Sequence, residues 1–218
     1  MLRTQWLSER IADMGISWGT GDSRVSGTLW WCMAASSLVE PIVGAYAAGR
    51  PAFDPALEHI SLEIRPDGGV EKVLPRPHEY TVALGATPLD ELHAAAEDEQ
   101  CCANTAMGNA LRHTLSRVIP VVAEVSGAGV ASLWAIVADA IGNRALDIGA
   151  EEAGARLARD VAGRMPVPRF TDIGGRTFVR RISCCLVFEV PGCEMCTSCP
   201  KRPAAQRETL LAELAARG

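Results

Sequence analysis

The sequence predicts an α+β protein, a helix-rich single domain with a small antiparallel sheet and a cysteine-rich C-terminal segment. Apolar residues recur at helical spacing through most of the chain. One stretch instead alternates apolar and polar residues on either side of Asp67-Gly68-Gly69, which is typical of a β-hairpin. Five of the eight cysteines lie between Cys184 and Cys199. With 218 residues and 48% hydrophobic content, the chain can bury an ample core.

Helices account for most of the predicted elements. The apolar periodicity and the breaks at glycine and proline predict helices over residues 4–14, 28–48, 89–118, 128–142, 143–164 and 204–216. Pro41 is expected to bend or divide the second of these helices, because proline removes a backbone hydrogen bond. Gly108 is expected to divide the third. The body of the protein should therefore be built from several buried helices.

The predicted sheet is small and lies within residues 58–84. Strands are expected at 60–64, 70–74 and 80–84, and a further extended stretch at 177–190. Ile60, Leu62 and Ile64 alternate with polar neighbours, which is the two-residue period of a β-strand.

A boundary in the chain is indicated by Pro166 and Pro168, which follow the last helix of the body. Residues 1–165 are expected to form the helix-rich body with its β-hairpin. Residues 166–218 are expected to form the cysteine-bearing segment and the terminal helix. This second part is too short to bury much core by itself.

Charge and hydropathy narrow the classes of partner. The net charge of -5 and the isoelectric point near 5.4 argue against nucleic-acid binding, because phosphate contacts need an excess of Lys and Arg. The apolar stretches contain Glu40, Glu124 and Asp139, so no transmembrane segment is predicted. Residues 1–20 lack the apolar run of a secretory signal. We therefore expect a cytoplasmic protein, with peripheral membrane association left open.

The candidate metal ligands are the cysteines of the C-terminal segment, Cys184, Cys185, Cys193, Cys196 and Cys199. A cytoplasmic chain keeps its thiols reduced, and thiolates at Cys-x-x-Cys spacing can turn around one metal. A structural zinc site and unligated buried thiols are the alternatives. Adjacent residues of an extended strand point to opposite faces, which favours a wide two-iron cluster over one zinc ion at Cys184 and Cys185. Cys101 and Cys102 are expected to be buried thiols of a helix.

The spacing Cys184-Cys185, ten residues, Cys196, two residues, Cys199 resembles the C-C-x10-C-x2-C signature of the ferric iron reductase family of the FhuF type. The helix-rich plan with the cysteines near the C-terminus is similar too. The resemblance implies that these four cysteines hold a [2Fe-2S] cluster. Cys193 departs from the pattern and is an alternate ligand, because its run of Cys-x-x-Cys-x-x-Cys-Pro resembles part of a bacterial ferredoxin [4Fe-4S] motif.

The resemblance also implies a function, that of an oxidoreductase that reduces siderophore-bound Fe3+ and so releases Fe2+. The siderophore would typically be of the hydroxamate type, and the cluster would be recharged by an unidentified electron donor. Arg176, Arg180 and Arg181 flank the cysteines and are expected to stabilise the negative cluster. Two other functions stay open. One is a zinc-stapled interaction module, and the other is a [2Fe-2S] electron carrier or redox sensor without a chelate substrate.

Overall fold

The structure is a computed structural model that describes residues 4–50, 52–76 and 92–217. For residues 92–104 it describes the backbone alone. The described residues form six α-helices and two small hairpins. In chain order the elements are α1 Thr4–Trp18, α2 Ser23–Ala47, β1 Ile60–Ile64, β2 Val70–Pro75, α3 Leu92–Ser126, α4 Val130–Asp147, α5 Glu151–Val161, β3 Phe170–Ile173, β4 Arg176–Val179 and α6 Ala204–Ala215. The predicted helix-rich α+β class, with the cysteines near the C-terminus, is confirmed. No described helix combines the length and the apolar character needed to cross a bilayer.

The central helix of the core is α2. Buried residues surround the whole helix rather than one face, and α2 packs against α1, α3, α4 and α5. Trp30 and Trp31 are almost fully buried within it. The indole of Trp30 donates to the Gly68 carbonyl of the first hairpin at 3.1 Å. The indole of Trp31 donates to the Leu133 carbonyl at 2.9 Å, so α2 connects the hairpin to α4 through satisfied polar groups.

Two helices run through residues at which the sequence predicted a break. Pro41 lies inside α2, where its neighbours Leu38 and Ile42 are buried, so tertiary packing offsets the missing hydrogen bond. Gly108 lies inside α3 instead of dividing it. A Cβ atom on Gly108 would fall 2.5 Å from the backbone carbonyl carbon of Asp160 on α5. This glycine therefore allows two helices to pack closely.

The first hairpin is the predicted one. β1 and β2 pair antiparallel from Ile60 opposite Pro75 to Ile64 opposite Val70, with an irregularity just before Ile64. The third strand, predicted at 80–84, lies outside the described residues.

The second hairpin, β3 with β4, is not predicted by the sequence analysis. Its turn is formed by Gly174 and Gly175, whose φ angles of 60° and 80° suit a tight hairpin turn. The extended stretch predicted over 177–190 is wrong beyond Val179, because Leu186 adopts a left-handed conformation with φ of 63° and a short 3-10 turn follows it. The division of the chain at residue 165 stays a prediction.

Candidate metal centre

The segment that precedes the cysteines is held by α4. This helix continues through Gly142, where the sequence predicted a break, and a Cβ atom there would lie 3.3 Å from the Val179 side chain of β4. About one turn earlier, the buried carboxylate of Asp139 accepts hydrogen bonds from Ile182 N at 2.9 Å, from Ser183 N at 2.8 Å and from Ser183 Oγ at 2.6 Å. These bonds fix the backbone directly before the first cysteine.

Four of the five cysteines form two pairs. The Sγ atoms of Cys184 and Cys199 lie 3.7 Å apart, and a hydrogen bond joins the thiols of Cys185 and Cys196. Two thiolates on one tetrahedral metal with bonds of about 2.3 Å lie about 3.8 Å apart, so the first separation suits a shared metal. The adjacent residues Cys184 and Cys185 are thus paired with different cysteines of the Cys-x-x-Cys motif. Within the described residues, no three Cys, His, Asp or Glu side chains converge as ligands of a single ion.

A left-handed residue turns backbone N–H groups towards the adjacent cysteines. The N–H of Leu186 donates to the sulfur of Cys184, and the N–H of Val187 donates to that of Cys185. The left-handed conformation of Leu186 costs roughly 1 kcal/mol, and burial of its side chain offsets that cost. N–H donors to sulfur stabilise thiolates and the negative metal groups that thiolates hold.

Arg181 brings a positive charge to one of the two pairs. Its Nη1 donates to the Sγ atom of Cys196 at 3.6 Å, and the guanidinium also bonds to Cys185. Its Nε lies 3.7 Å from the Asp139 carboxylate. Burial alone would lower the pKa of Arg181, but the charges of Cys185, Cys196 and Asp139 outweigh burial and raise it. A permanent cation therefore lies beside the Cys185–Cys196 pair.

The other two predicted arginines, Arg176 and Arg180, are exposed. The guanidinium of Arg176 lies 5.3 Å from the centre of the Phe178 ring. The backbone N–H of Arg180 donates to the Arg169 carbonyl at 2.8 Å. Their electrostatic role towards a metal centre stays a prediction, whereas Arg181 contacts sulfur directly.

Two further arginines hold the Cys-x-x-Cys turn through its carbonyl groups. Arg202 Nε donates to the Cys196 carbonyl at 3.0 Å, and Arg202 Nη2 donates to the Met195 carbonyl. Arg207 Nη1 donates to the Cys199 carbonyl at 3.5 Å. Because carbonyls accept these bonds, Arg202 and Arg207 hold the turn without occupying its sulfurs, and Cys199 itself is fully buried.

Comparison with known families decides what this segment is. Residues 181–201 match the family model of the FhuF 2Fe-2S C-terminal domain. The segment is a FhuF-type domain. Its cofactor is a [2Fe-2S] cluster, and two pairs of thiols are a suitable donor set for two irons. No curated protein and no solved structure matches the chain. The match confirms the family resemblance that the cysteine spacing predicted.

Within the FhuF-type domain, Cys185 loses its proton more readily than Cys184 or Cys196. The hydrogen bond from Cys196, with help from the N–H of Val187 and from Arg181, lowers the pKa of Cys185 to about 5. The same pairing raises the pKa of Cys196, and burial raises that of Cys184. Because a metal binds the thiolate form, Cys185 is ready to act as a ligand at neutral pH.

Further cysteines lie near the FhuF-type domain. Cys193 packs against the core, and in the described part of the chain no hydrogen bond joins its sulfur to the four paired cysteines. Cys32 on α2 lies close enough to Cys185 for their charges to interact, and burial raises the pKa of Cys32 to about 12. Cys32 lies in an apolar helix, and nothing in the sequence around it indicates that it lies near Cys185. Cys101 and Cys102 lie where the backbone alone is described.

Proposed function

We propose that the protein is a ferric-siderophore reductase in which Cys184, Cys185, Cys196 and Cys199 hold the [2Fe-2S] cluster. The observation that supports this ligand set is the arrangement of the thiols in two pairs, one of them with sulfurs 3.7 Å apart. A two-iron cluster takes two thiolates on each iron, so each pair would hold one iron. A single zinc ion would instead need all four thiols around one centre.

The substrate of the proposed reaction is Fe3+ bound by a hydroxamate-type siderophore. Hard oxygen ligands hold Fe3+ tightly, and one added electron gives Fe2+, a softer ion that they hold less well. When bound, the cluster would supply that electron, and a one-electron donor would replace it. Reduction therefore releases the metal. No general acid, base or nucleophile is required, so the protein contributes by positioning the chelate and setting the reduction potential.

The residues around the sulfurs are suited to electron transfer. Arg181 places a positive charge beside Cys185 and Cys196, which stabilises the additional negative charge of the reduced state. Asp139 fixes the backbone before the first cysteine and orients Arg181. Cys199 is fully buried, whereas Cys196 is partly exposed. The proposed ligands thus combine a side closed to water with a side open to a reaction partner.

The test of this function uses protein purified without oxygen. It should contain about two irons and two sulfides per chain. After reduction with dithionite and removal of the excess, a ferric trihydroxamate should restore the visible absorption, and an Fe2+ indicator should trap one Fe2+ per cluster. The Cys196→Ser protein, treated in the same way, serves as the control.

The alternatives predict different results in this experiment. Reoxidation and Fe2+ release no faster than in the Cys196→Ser control would reject the reductase function. A protein with an intact cluster and no Fe2+ release is an electron carrier. A colourless protein with one zinc per chain is a stapled interaction module.

A further inference from the structure

We propose that the ferric chelate docks in a cavity beside the Cys185–Cys196 pair; this inference rests on the proposed reductase function. The cavity has a volume of about 650 Å³ and lies between the C-terminal half of α4, the start of α5, β4 and α6. Its lining side chains include Asn143, Asp147, Glu151, Arg176, Arg181 and Leu214. A small-molecule site typically has roughly 300–1,000 Å³, so a compact chelate fits this volume.

Arg181 connects the cavity to the proposed ligands of one iron. Arg181, in the cavity wall, donates to the Sγ atom of Cys196 at 3.6 Å. Ser198, also in its wall, lies between Cys196 and Cys199 in the chain. A chelate in the cavity would therefore be separated from the Cys196 sulfur by about one side chain. Transfer of an electron requires that the protein hold donor and acceptor this close.

Among the described residues, protein covers part of the rest of the site, where Cys184 and Cys185 are partly buried. Cys199 is fully buried, and Cys184 and Cys185 pack against the hydrophobic core, with Cys32 of α2 nearby. A second cavity also touches Arg181, between β3, β4 and α6, but its volume is about 200 Å³. That volume is below the range of roughly 300–1,000 Å³ for small-molecule sites. The larger cavity therefore has both the position and the size that the chelate needs.

The charges around the cavity favour a neutral chelate. Its wall carries the guanidinium groups of Arg176 and Arg181. It also carries the carboxylates of Asp147 and Glu151, which balance them in formal charge. The charge of Arg181 is already engaged by sulfur and by Asp139. A cluster with four thiolate ligands is negative and becomes more so on reduction, so a polyanionic chelate is repelled.

A ferric trihydroxamate meets this requirement. Each hydroxamate carries one negative charge, so three of them neutralise Fe3+, whereas three catecholates leave a polyanion. Polar groups in the wall, among them the Asn143 amide and the hydroxyls of Thr177 and Ser198, can donate hydrogen bonds to the hydroxamate oxygens. The chelate is thus recognised by shape and hydrogen bonding rather than by charge.

Gallium complexes test the site without electron transfer, because Ga3+ copies the charge and size of Fe3+ and is not reduced. The Ga3+ complex of a neutral cyclic trihydroxamate should bind the oxidised holoprotein in a calorimetric titration. Leu214→Trp and Asn143→Trp fill the cavity from two different helices, and each should weaken binding by about tenfold or more. Leu74→Trp on β2 is the matched control, since Leu74 is 38% exposed and Leu214 is 39% exposed.

The rate of reoxidation is the second readout. After dithionite reduction, the neutral ferric trihydroxamate should reoxidise the two cavity variants about tenfold more slowly than the wild type. The Leu74→Trp protein should react at the wild-type rate. Equal visible absorption per chain in all four proteins shows that each of them carries a complete cluster.

Failure of this inference differs from failure of the reductase function. If the wild type releases Fe2+ and both cavity variants bind and react as the wild type does, the docking site is wrong and the function stands. If the wild type releases no Fe2+ above the Cys196→Ser control, the function fails and the docking site falls with it. Binding of an anionic Ga3+ tris-catecholate as tight as that of the trihydroxamate would overturn the neutral charge of the chelate.

Discussion

The guanidinium of Arg181 donates to the sulfur of Cys196 at 3.6 Å while its Nε lies 3.7 Å from the carboxylate of Asp139. Asp139 is buried in α4 and is itself fixed by donors from Ser183. The cation is therefore held against the Cys185–Cys196 pair by residues from two separate parts of the chain. An iron held by Cys185 and Cys196 would therefore lie nearer to a positive charge than an iron held by Cys184 and Cys199.

Arg181→Gln should lower the reduction potential of the cluster. Reduction adds one negative charge, which a neighbouring cation stabilises, so removal of the cation disfavours the reduced state. A unit charge a few ångströms away, in surroundings of intermediate dielectric constant, contributes about 100 mV to a one-electron potential. A redox titration followed by visible absorption measures the shift.

Arg180→Gln is the matched control for that shift, because Arg180 is exposed and adjacent in the chain. Solvent and salt screen an exposed charge, so its removal should move the potential by less than about 30 mV. Arg181→Lys should restore part of the lost potential. Equal shifts for Arg180→Gln and Arg181→Gln would show that contact with sulfur is irrelevant.

Asp139→Asn should loosen the segment that carries the first cysteines. The carboxylate accepts bonds from Ile182 N and from both N and Oγ of Ser183, and an amide would present an N–H group to some of these donors. The loss should be about 2–3 kcal/mol in the free energy of unfolding, measured by urea denaturation of the cluster-free protein. Asp147→Asn, at an exposed position of the same helix, should change it by less than about 0.5 kcal/mol.

Cys193→Ser should retain the cluster, whereas Cys199→Ser should lose it. In the described structure, Cys199 is paired through sulfur and Cys193 is not. Iron and sulfide content and visible absorption, measured on protein purified without oxygen, separate the two variants. A colourless Cys193→Ser protein would show that the proposed ligand set is wrong.

Local chemistry explains what could be predicted from the sequence. The cysteine spacing indicated the cluster domain, and the Asp67-Gly68-Gly69 turn indicated the first hairpin, because each signal lies within one short stretch of the sequence. The second hairpin was missed although Gly174 and Gly175 mark its turn, since strands of four residues show too little alternation.

Tertiary contacts explain what could not be predicted. Asp139 is an interruption of an apolar stretch in the sequence, and nothing in its neighbourhood shows that it binds Ser183, 44 residues away. Gly108 and Gly142 resemble helix breaks because the sequence does not show which backbone or side chain packs on them. Arg181 could be predicted as a flanking charge, but its contact with Cys196 and the exposure of Arg180 depend on the fold.

Gly108→Ala and Gly44→Ala should have opposite effects on stability, although both glycines lie inside helices. A methyl group on Gly108 would collide with the backbone of Asp160, so α3 and α5 must separate, at a cost of about 2 kcal/mol. A methyl group on Gly44 meets no atom within 4 Å, so the higher helix propensity of alanine should stabilise the protein by about 0.5–1 kcal/mol. Urea denaturation of both proteins gives the comparison, and destabilisation by Gly44→Ala would contradict it.

The hydroxyl of Tyr46 connects α2 to α5 through the carboxylate of Asp160, to which it donates at 2.6 Å. Burial, together with this hydrogen bond, raises the pKa of Tyr46 to about 12. Tyr46→Phe should therefore lower the free energy of unfolding by about 2 kcal/mol at neutral pH, because Asp160 loses a donor.

The pH dependence of the Tyr46 contribution follows from the direction of its pKa shift. The folded protein holds the phenol proton more tightly than the unfolded chain, whose tyrosine has the ordinary pKa of 10.0. The contribution is therefore complete below about pH 10 and is lost as the pH rises towards about 12. The difference in unfolding free energy between wild type and Tyr46→Phe, measured across this range, should shrink towards zero. A difference that stays constant from neutral pH to about pH 12 would show that the phenol proton does not take part in holding α2 to α5.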